Sequence, residues 1–374
     1  MKQQSMKRRQ FLKKATIGAA ATAAATTSFP KFAISQNRIE WRMVTAWPRG
    51  LPPVHQGAER IAKRIETMSN GRMTVKVYAA GELLPAFGGW DGIISGACEM
   101  AHDTPYYHVG KSIGAATYST VPFGMNAGEF YAWLTQSDGQ ELWDKLYAQF
   151  GLKGFTQGPT GEQFFGWFRN EIKSVDDFKG LKMRTAGYGV QVLQKLGATV
   201  VTLPPGETFA ALQSGAIDSV EWVGPYADLA LGFYKIAKYY YWPGTSEPSV
   251  AGQVMVSKAK YDALPKDLQE IIRVCCEMEY STVLAEYFAK SVPALNELVS
   301  KHGVQLRQVP REVLIALGKA TGEVVQEVLD KADPISKEVL TSYLKYRKSV
   351  LTYSRITELA YMQARMFDFP YPGG

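Results

Sequence analysis

The hydrophobic pattern along the first part of the chain alternates between two periods. Ile39 to Thr45 is rich in β-branched and aromatic residues, as a strand would be. From Pro53 to Met68 the apolar residues recur at helical spacing, and Ser69-Asn70-Gly71 ends this helix. Met73 to Tyr78 is a second predicted strand. The order strand, helix, strand predicts an α/β fold with mainly parallel strands.

The same alternation continues in two later parts of the chain. A helix and a short strand are predicted after the second strand, and a run of three strands and two helices is predicted near the middle of the sequence. These elements are Gly89–Ser95 and Glu99–His102, then Leu181–Arg184, Gly189–Leu196, Ala198–Thr202, Glu207–Gln213 and Ile217–Val220. The repetition suggests two similar lobes.

The last third of the chain is mostly helical in pattern. Asp262 to about Leu298 and Arg311 to about Leu329 are predicted helices. Asp333 before Pro334 is a good helix start, and no Gly or Pro interrupts the chain from there to about Phe367. A single helix of that length needs a surface along its apolar stripe, so we expect it to brace both lobes or to pack on a second subunit. The stripe comprises Val339, Leu340, Tyr343, Leu344, Val350, Leu351, Ile356 and Leu359.

The first 35 residues have the order of an export signal. Lys7-Arg8-Arg9 is followed by a Phe-Leu step, a weakly apolar Ala/Thr-rich stretch and small residues near Ala33. This predicts a leader of the twin-arginine type and a periplasmic mature protein. The leader carries seven of the 42 Lys and Arg residues and no acid, so the 35 that remain equal the 35 Asp and Glu. A neutral mature chain does not suggest nucleic-acid binding.

The remaining residues, about 340, exceed one compact core and predict a two-lobe organisation. We expect lobe 1 to comprise residues 36–158 and about 249–290, and lobe 2 to comprise 159–248 and about 291–333. Residues 334–374 would form the long C-terminal helix. The pattern thus predicts an α/β fold class with two lobes and mainly parallel sheets.

Four sequence markers between Thr160 and Glu247 carry a family resemblance. They are Gly180-Leu181-Lys182-Met183-Arg184, Leu196-Gly197-Ala198, Leu203-Pro204-Pro205-Gly206-Glu207 and the segment from Leu212 to Trp222. In order and spacing they resemble the solute-binding proteins of tripartite ATP-independent periplasmic (TRAP) transporters. The resemblance implies a two-lobe periplasmic binding protein fold, with mainly parallel sheets, hinge strands and a long C-terminal helix. The sequence looks most like the branch that binds 2-oxo or 2-hydroxy acids such as pyruvate or lactate, with a cation that helps to hold the ligand.

Arg184 is the leading candidate for ligand binding. It follows a predicted strand, and in an open α/β sheet the carboxyl end of a strand faces the ligand crevice. A guanidinium there offers a planar fork that matches a carboxylate. The resemblance places the ligand-anchoring arginine of the family at this position. A surface arginine after a strand is the alternative interpretation.

The resemblance also implies a cation site, for sodium or calcium. Gln163, Glu221 and the main chain of Trp222 match the glutamine and the Glu-Trp pair of that branch, and they supply the oxygen ligands that a hard cation prefers. Gln163 lies in an alternating, strand-like run from Gly161 to Phe168. Glu247 is a weaker candidate for the same ion or for the ligand.

The opposite wall of the site is expected in lobe 1. Tyr106 and Tyr107 follow the predicted strand that starts at Glu99, and one of them could donate its hydroxyl to the ligand. A surface tyrosine is nearly as good an interpretation. Which of the two faces the ligand is left open by the sequence.

Two other functions were weighed against solute capture. An exported lyase or hydrolase of small organic acids would need catalytic residues, but His55, His102, His108 and His302 form no metal-binding motif, and no nucleophile elbow is present. A structural or interaction protein would use the long C-terminal helix as its main feature. We expect instead that this helix forms a homodimer, and that the partners are a small carboxylate and TRAP membrane permease subunits.

Overall fold

The computed structural model describes residues 38–370, which form two lobes, each built on one β-sheet. The export signal predicted for residues 1–35 lies outside the described residues. Within the described part of the chain, no helix is both long and apolar enough to cross a membrane.

The described residues contain eleven strands and twelve α-helices. The strands are β1 (Ile39–Thr45), β2 (Met73–Tyr78), β3 (Met100–Asp103), β4 (Leu152–Pro159), β5 (Gly166–Phe168), β6 (Lys182–Arg184), β7 (Thr199–Val201), β8 (Ser219–Val220), β9 (Tyr239–Trp242), β10 (Ala251–Ser257) and β11 (Gln305–Gln308). The helices are α1 (Val54–Met68), α2 (Gly89–Ile94), α3 (Ala127–Gln136), α4 (Gly139–Ala148), α5 (Gly189–Lys195), α6 (Pro205–Ser214), α7 (Pro225–Leu231), α8 (Lys258–Asp262), α9 (Lys266–Ser300), α10 (Arg311–Lys331), α11 (Pro334–Ile356) and α12 (Glu358–Ala364). Short 3₁₀ helices span Pro105–His108, Ile113–Tyr118, Val175–Phe178 and Phe233–Lys235.

The sheet of lobe 1 has the strand order β2-β1-β3-β10-β4. Strands β1, β2 and β3 are parallel, and β10 is antiparallel to both of its neighbours. Helices α1 and α9 cover one face of this sheet, where Met43, Ile61, Val254 and Ile272 form part of a buried apolar cluster. The apolar side of α1 predicted from the sequence is therefore the side that packs on the sheet.

The sheet of lobe 2 has the order β11-β9-β5-β8-β6-β7. The pairs β6–β7, β6–β8 and β9–β11 are parallel, whereas β5 is antiparallel to both β8 and β9. Parallel pairs outnumber antiparallel pairs by three to two in this sheet, whereas the sheet of lobe 1 has two pairs of each kind. The antiparallel part of lobe 1 arises where β10, from a later section of the chain, is inserted between β3 and β4, and that of lobe 2 arises where β5 lies between β8 and β9.

The chain passes between the two sheets three times. Residues 160–165 connect β4 to β5, residues 243–250 connect β9 to β10, and α8 and α9 follow β10 before the chain reaches β11. Helix α9 packs on α1 and β4 in lobe 1 and on α7 in lobe 2. The first two connections lie side by side and contain two of the candidate site residues, as described below.

The C-terminal helix departs from the prediction of one uninterrupted element. Asp333 caps α11 through the main-chain N–H of Ser336, at 3.0 Å, as its position before Pro334 suggests. The helix ends at Ile356, however, and α12 begins after Thr357. Side-chain contacts with α3 flank this break, because Ser354 bonds to Glu129 and Asn126 bonds to Glu358.

The first half of the predicted apolar stripe packs on the protein, whereas in the second half only Val350 packs against the core. Val339, Leu340 and Tyr343 are buried against α4 and the 3₁₀ helix Ile113–Tyr118. Ile356 and Leu359 are instead 72% and 52% exposed. The second half of the helix therefore presents apolar side chains to the outside of this chain.

Candidate functional site

Arg184 is the last residue of β6, and it lies fully buried with 1% of its surface exposed. Its neighbour across the parallel pair is Val220 of β8, so the residue after β8, Glu221, meets it at the same edge of the sheet. The guanidinium donates through Nη1 to the main-chain oxygen of Glu221 at 2.8 Å and through Nε to that of Leu203 at 3.3 Å. Its Nη2 is buried without a partner. The group is held in place and retains one donor for a further acceptor.

Glu221 and Glu247 form a pair of buried carboxyl groups close to Arg184. Thr185 donates to Oε2 of Glu221 at 2.9 Å, which leaves Oε1 of Glu221 without a partner. Both carboxylate oxygens of Glu247 are buried and unpartnered. Burial raises the pKa of Glu247 well above its usual range, and the neighbouring Glu221 raises it further. Burial also raises the pKa of Glu221, although Arg184 opposes that shift.

Gln163 lies beside this pair, in a loop rather than in the strand predicted from its alternating pattern. Strand β5 begins only at Gly166, because the preceding chain is held by contacts with the second connection. The N–H of Gly244 donates to the main-chain oxygen of Gln163 at 2.8 Å, and a Cβ at position 244 would lie 2.6 Å from that oxygen. The side-chain Nε2 donates to Oγ1 of Thr160 at 2.9 Å. The amide oxygen Oε1 is thereby left as a buried, unpartnered acceptor.

These side chains fit a hard cation in the chemistry of their donors. Two carboxyl groups and one amide oxygen, contributed by Glu221, Glu247 and Gln163, provide unpartnered oxygens in one buried region. Oxygen ligands of this kind suit sodium, calcium and similar ions. Across residues 38–370, no group of three or more His, Cys, Asp or Glu side chains is placed to hold a metal. A cation here would therefore depend on amide and main-chain oxygens as well as on carboxylates.

Tyr106 and Tyr107 lie in the 3₁₀ helix Pro105–His108, on the lobe 1 side. The ring of Tyr106 packs against Gly187 of lobe 2, where an added Cβ would be 3.3 Å from the ring. The hydroxyl of Tyr107 is buried without a partner. Burial raises the pKa of Tyr107 to about 12, and nearby Arg184 opposes the shift. Both tyrosines thus lie close to the buried arginine.

Two adjoining cavities lie at this junction of the lobes. The smaller one is lined from lobe 1 by Trp47, Tyr106 and Tyr107 and from lobe 2 by Gln163 and Trp222. The larger, of about 200 Å³, is mostly apolar and opens beside the exposed side chains of α9. The two share the lining residues Thr160, Val223 and Tyr287. Three residues that line the smaller cavity, Tyr107, Gln163 and Trp222, carry buried polar atoms without a partner, so this cavity is the better candidate for the functional site.

Residues 44–332 match the family of bacterial extracellular solute-binding proteins, family 7. The chain belongs to this family. The match confirms the resemblance that the four sequence markers indicate, and it gives no support to the alternative of an exported enzyme.

Three relatives match this family 7 solute-binding protein over most of its length. A monocarboxylate 2-oxoacid-binding periplasmic protein of Nostoc sp. is 40% identical over 359 residues, 95% of this chain and 98% of the relative. A TRAP periplasmic solute-binding protein of Pseudoalteromonas atlantica, solved with sodium and pyruvate, is 36% identical, with a TM-score of 0.85 over 88% of this chain and 100% of that one. A TRAP solute-binding protein of Bordetella bronchiseptica, a dimer with calcium and picolinate in one site, is 33% identical, with a TM-score of 0.85 over 88% and 97%.

One residue that shapes this solute-binding site had no signal in the sequence pattern. Asp228 in α7 is 1% exposed and accepts from Trp167 and Tyr240, each at 2.8 Å. It also accepts from the main-chain N–H groups of Val223 at 3.2 Å and Gly224 at 3.0 Å. Burial raises the pKa of Asp228 to about 6 in spite of these four donors. The carboxyl group fixes the turn that follows Trp222.

Proposed function

We propose that this protein captures a small 2-oxo or 2-hydroxy monocarboxylate, such as pyruvate, together with a cation between its lobes. The observation that carries this proposal is the set of buried polar groups around Arg184. A buried guanidinium with a free donor lies beside buried carboxyl and amide groups with free oxygens. A buried donor needs an acceptor, and buried anionic oxygens need a cation. One carboxylate and one cation would satisfy both needs.

The proposed roles follow from the free atoms. Arg184 would bind the ligand carboxylate through its unpartnered Nη2. Gln163, Glu221, Glu247 and the main-chain oxygen of Trp222 would hold the cation, which would in turn bind a carboxylate oxygen and the adjacent oxo or hydroxy oxygen of the ligand. Tyr107 would donate its free hydroxyl from lobe 1. Because the cation would bind two neighbouring ligand oxygens, the site would select 2-oxo and 2-hydroxy acids over acids that lack an oxygen at carbon 2.

The formal charges of the site favour a divalent ion. Arg184 carries a positive charge, and Glu221 and Glu247 carry two negative charges when both are ionised. A monocarboxylate with calcium brings the buried sum to zero, whereas a monocarboxylate with sodium leaves one negative charge uncompensated. Uncompensated buried charge is costly, so calcium is the ion that we expect. The relatives are divided, with sodium in the Pseudoalteromonas protein and calcium in the Bordetella protein.

Delivery completes the proposed function. The mature protein would reside in the periplasm after removal of the predicted export signal, and it would pass its ligand to TRAP membrane permease subunits. The names of the relatives support this setting, since the Nostoc and Pseudoalteromonas proteins are both described as periplasmic.

The exposed C-terminal segment supports a homodimer. From α11 onward, large apolar side chains face outward, and contiguous apolar surface of this kind marks an interaction site. The Bordetella relative is itself a dimer. The exposed side chains are Leu351, Tyr353, Ile356, Leu359, Tyr361, Met362, Met366, Phe367 and Phe369.

Calorimetric titration of ligand-stripped mature protein tests the proposal. Pyruvate would be added in calcium, in sodium and in chelator, with propionate, which lacks the 2-oxo oxygen, as the control ligand. We expect micromolar or tighter pyruvate binding in calcium, weaker binding in sodium, and none in chelator or with propionate. Equal binding of pyruvate and propionate, or binding unaffected by chelator, would contradict the cation-bridged site. Consumption of pyruvate during incubation would instead revive the enzyme alternative.

A further inference from the structure

Two buried histidines flank the tyrosine pair, and neither has a role in the site described so far. His108 closes the 3₁₀ helix that carries the tyrosines, and its Nε2 lies 2.8 Å from Oδ2 of Asp103. The other oxygen of Asp103 accepts from Gln253 of β10 at 2.7 Å, and Gln253 accepts from the hydroxyl of Tyr147 of α4 at 2.8 Å. The turn is thus tied through one carboxyl group to the next strand and to a helix behind it.

The bond between Asp103 and His108 determines the path of the chain between them. Asp103 ends β3 and His108 ends the turn, so the bond closes a loop whose interior holds Tyr106 and Tyr107. Within this loop the N–H of Tyr106 donates to Oγ of Ser119 at 2.8 Å, and the main-chain oxygen of Tyr106 accepts from the N–H of Val109 at 3.3 Å. Loss of this bond between Asp103 and His108 would remove the side-chain tie at the end of the loop, where the main-chain oxygen of His108 also accepts from Lys111 and Ser112.

His102 acts on the neighbouring ring of the same wall. Trp47 donates through Nε1 to Nδ1 of His102 at 2.7 Å, and both side chains are buried. Nδ1 accepts only while it carries no proton, and burial lowers the pKa of His102 to about 4, so the ring stays neutral at ordinary pH. The ring of Trp47 lies 6.3 Å from that of Tyr107, and both line the smaller cavity.

We propose that His102 and His108 are positioning residues for the lobe 1 wall of the ligand cavity. His102 fixes the indole of Trp47, and His108 fixes the Tyr106–Tyr107 turn through Asp103. This inference rests on the proposed function, because it assumes that the wall faces a bound acid. Neither histidine touches the ligand in this account.

The arrangement separates the two ligands of the site. The proposed cation donors Gln163, Glu221 and Glu247 lie in lobe 2 and in the connections between the lobes, whereas both histidines lie in lobe 1. Disturbing the lobe 1 wall should therefore weaken binding of the organic acid while leaving binding of the cation alone unchanged. General destabilisation of the fold would affect both.

The test compares an apolar and a hydrogen-bonding replacement at each histidine. His108→Leu removes the bond to Asp103, whereas the amide nitrogen of His108→Gln can restore it. His102→Leu removes the acceptor for Trp47, whereas the amide oxygen of His102→Asn can replace Nδ1. Glu279→Gln serves as the control, since Glu279 is equally buried in the protein but is bonded to Arg60 and Arg64 away from the cavity. Calcium affinity without acid, pyruvate affinity in calcium, and melting temperature are measured for each variant.

We expect each leucine variant to weaken pyruvate binding by roughly tenfold or more, and each amide variant to stay within about threefold of the wild type. Calcium affinity should stay within about twofold throughout. Equal losses in the leucine and amide variants, or parallel losses of calcium affinity, would overturn the inference. If the wild type binds no 2-oxo acid, the proposed function fails by itself, and the crystal structure of His108→Leu then decides. A displaced tyrosine turn supports the positioning role, and an unchanged turn refutes it.

Discussion

Replacing Arg184 with methionine removes the centre of the proposed site at nearly constant volume. The change deletes the free Nη2, the bonds to the main-chain oxygens of Glu221 and Leu203, and the positive charge beside two buried carboxyl groups. Loss of one partner from a buried, hydrogen-bonded charge pair costs about 3–5 kcal/mol. At about 1.4 kcal/mol for each tenfold change, pyruvate affinity should fall by roughly two to three and a half orders of magnitude.

The assay is calorimetric titration of pyruvate in calcium, below the melting temperature of each variant. Arg184→Lys keeps the charge but not the planar fork, so its loss of affinity should be smaller than that of Arg184→Met. Arg169→Met is the matched control, since Arg169 directly follows β5 of lobe 2 but donates to the main-chain oxygen of Leu212 and not to that of Glu221. A fall of less than tenfold in folded Arg184→Met, or an equal fall in Arg169→Met, would refute the assignment of the carboxylate to Arg184.

Three further predictions concern the cleft, the stability of the fold and the assembly. Gly187→Ala should weaken pyruvate binding, because its Cβ would lie 3.3 Å from Tyr106, whereas the control Gly180→Ala has a similar positive φ but open space around it. Both variants should lose about 1 kcal/mol of stability. Equal pyruvate affinities of the two variants would contradict a closed cleft at this contact. Because burial depresses the pKa of His102, this imidazole takes up a proton near pH 6.5 in the unfolded protein but only near pH 4 in the folded protein. The free energy of unfolding should therefore fall by up to about 3 kcal/mol as the pH drops from 6.5 to 4. Denaturant titrations of the wild type and of His102→Asn would show this, and identical pH profiles would exclude it. Ile356→Asp should convert the dimer to a monomer in sedimentation velocity, and an unchanged sedimentation coefficient would exclude this face from the interface.

Much of the fold could be predicted because its signals are local. Helical spacing indicates α1, and the pair Asp333-Pro334 indicates the start of α11, since each depends on residues within a few turns of one another. The strands β4, β9, β10 and β11 were not predicted. Strand β10, for example, lies between β3 and β4 only because the chain returns to lobe 1 after building most of lobe 2, and no local pattern marks such a return.

The C-terminal helix shows how tertiary contacts decide what propensity leaves open. The sequence from Pro334 onward has no helix breaker before Phe369-Pro370, so local preference alone favours one continuous helix. The break at Thr357 falls between two contacts with α3, at Ser354 and at Glu358. Those contacts join residues more than 200 positions apart in the sequence, which no periodicity can reveal.

By itself the sequence determined the family, the order of the elements from β1 to β3 and from β6 to β8, and the place of Arg184 at the end of a strand. These follow from short motifs and from the two periods of secondary structure. Only the tertiary structure decided which oxygens of Gln163, Glu221 and Glu247 remain free, because that depends on bonds such as the one from Thr185 to Glu221, which joins residues 36 positions apart. The roles of Asp228, His102 and His108 likewise depend on side-chain partners that only the folded chain brings next to them. Whether a buried polar atom has a hydrogen-bond partner depends on every group packed around it, and that is a property of the folded molecule.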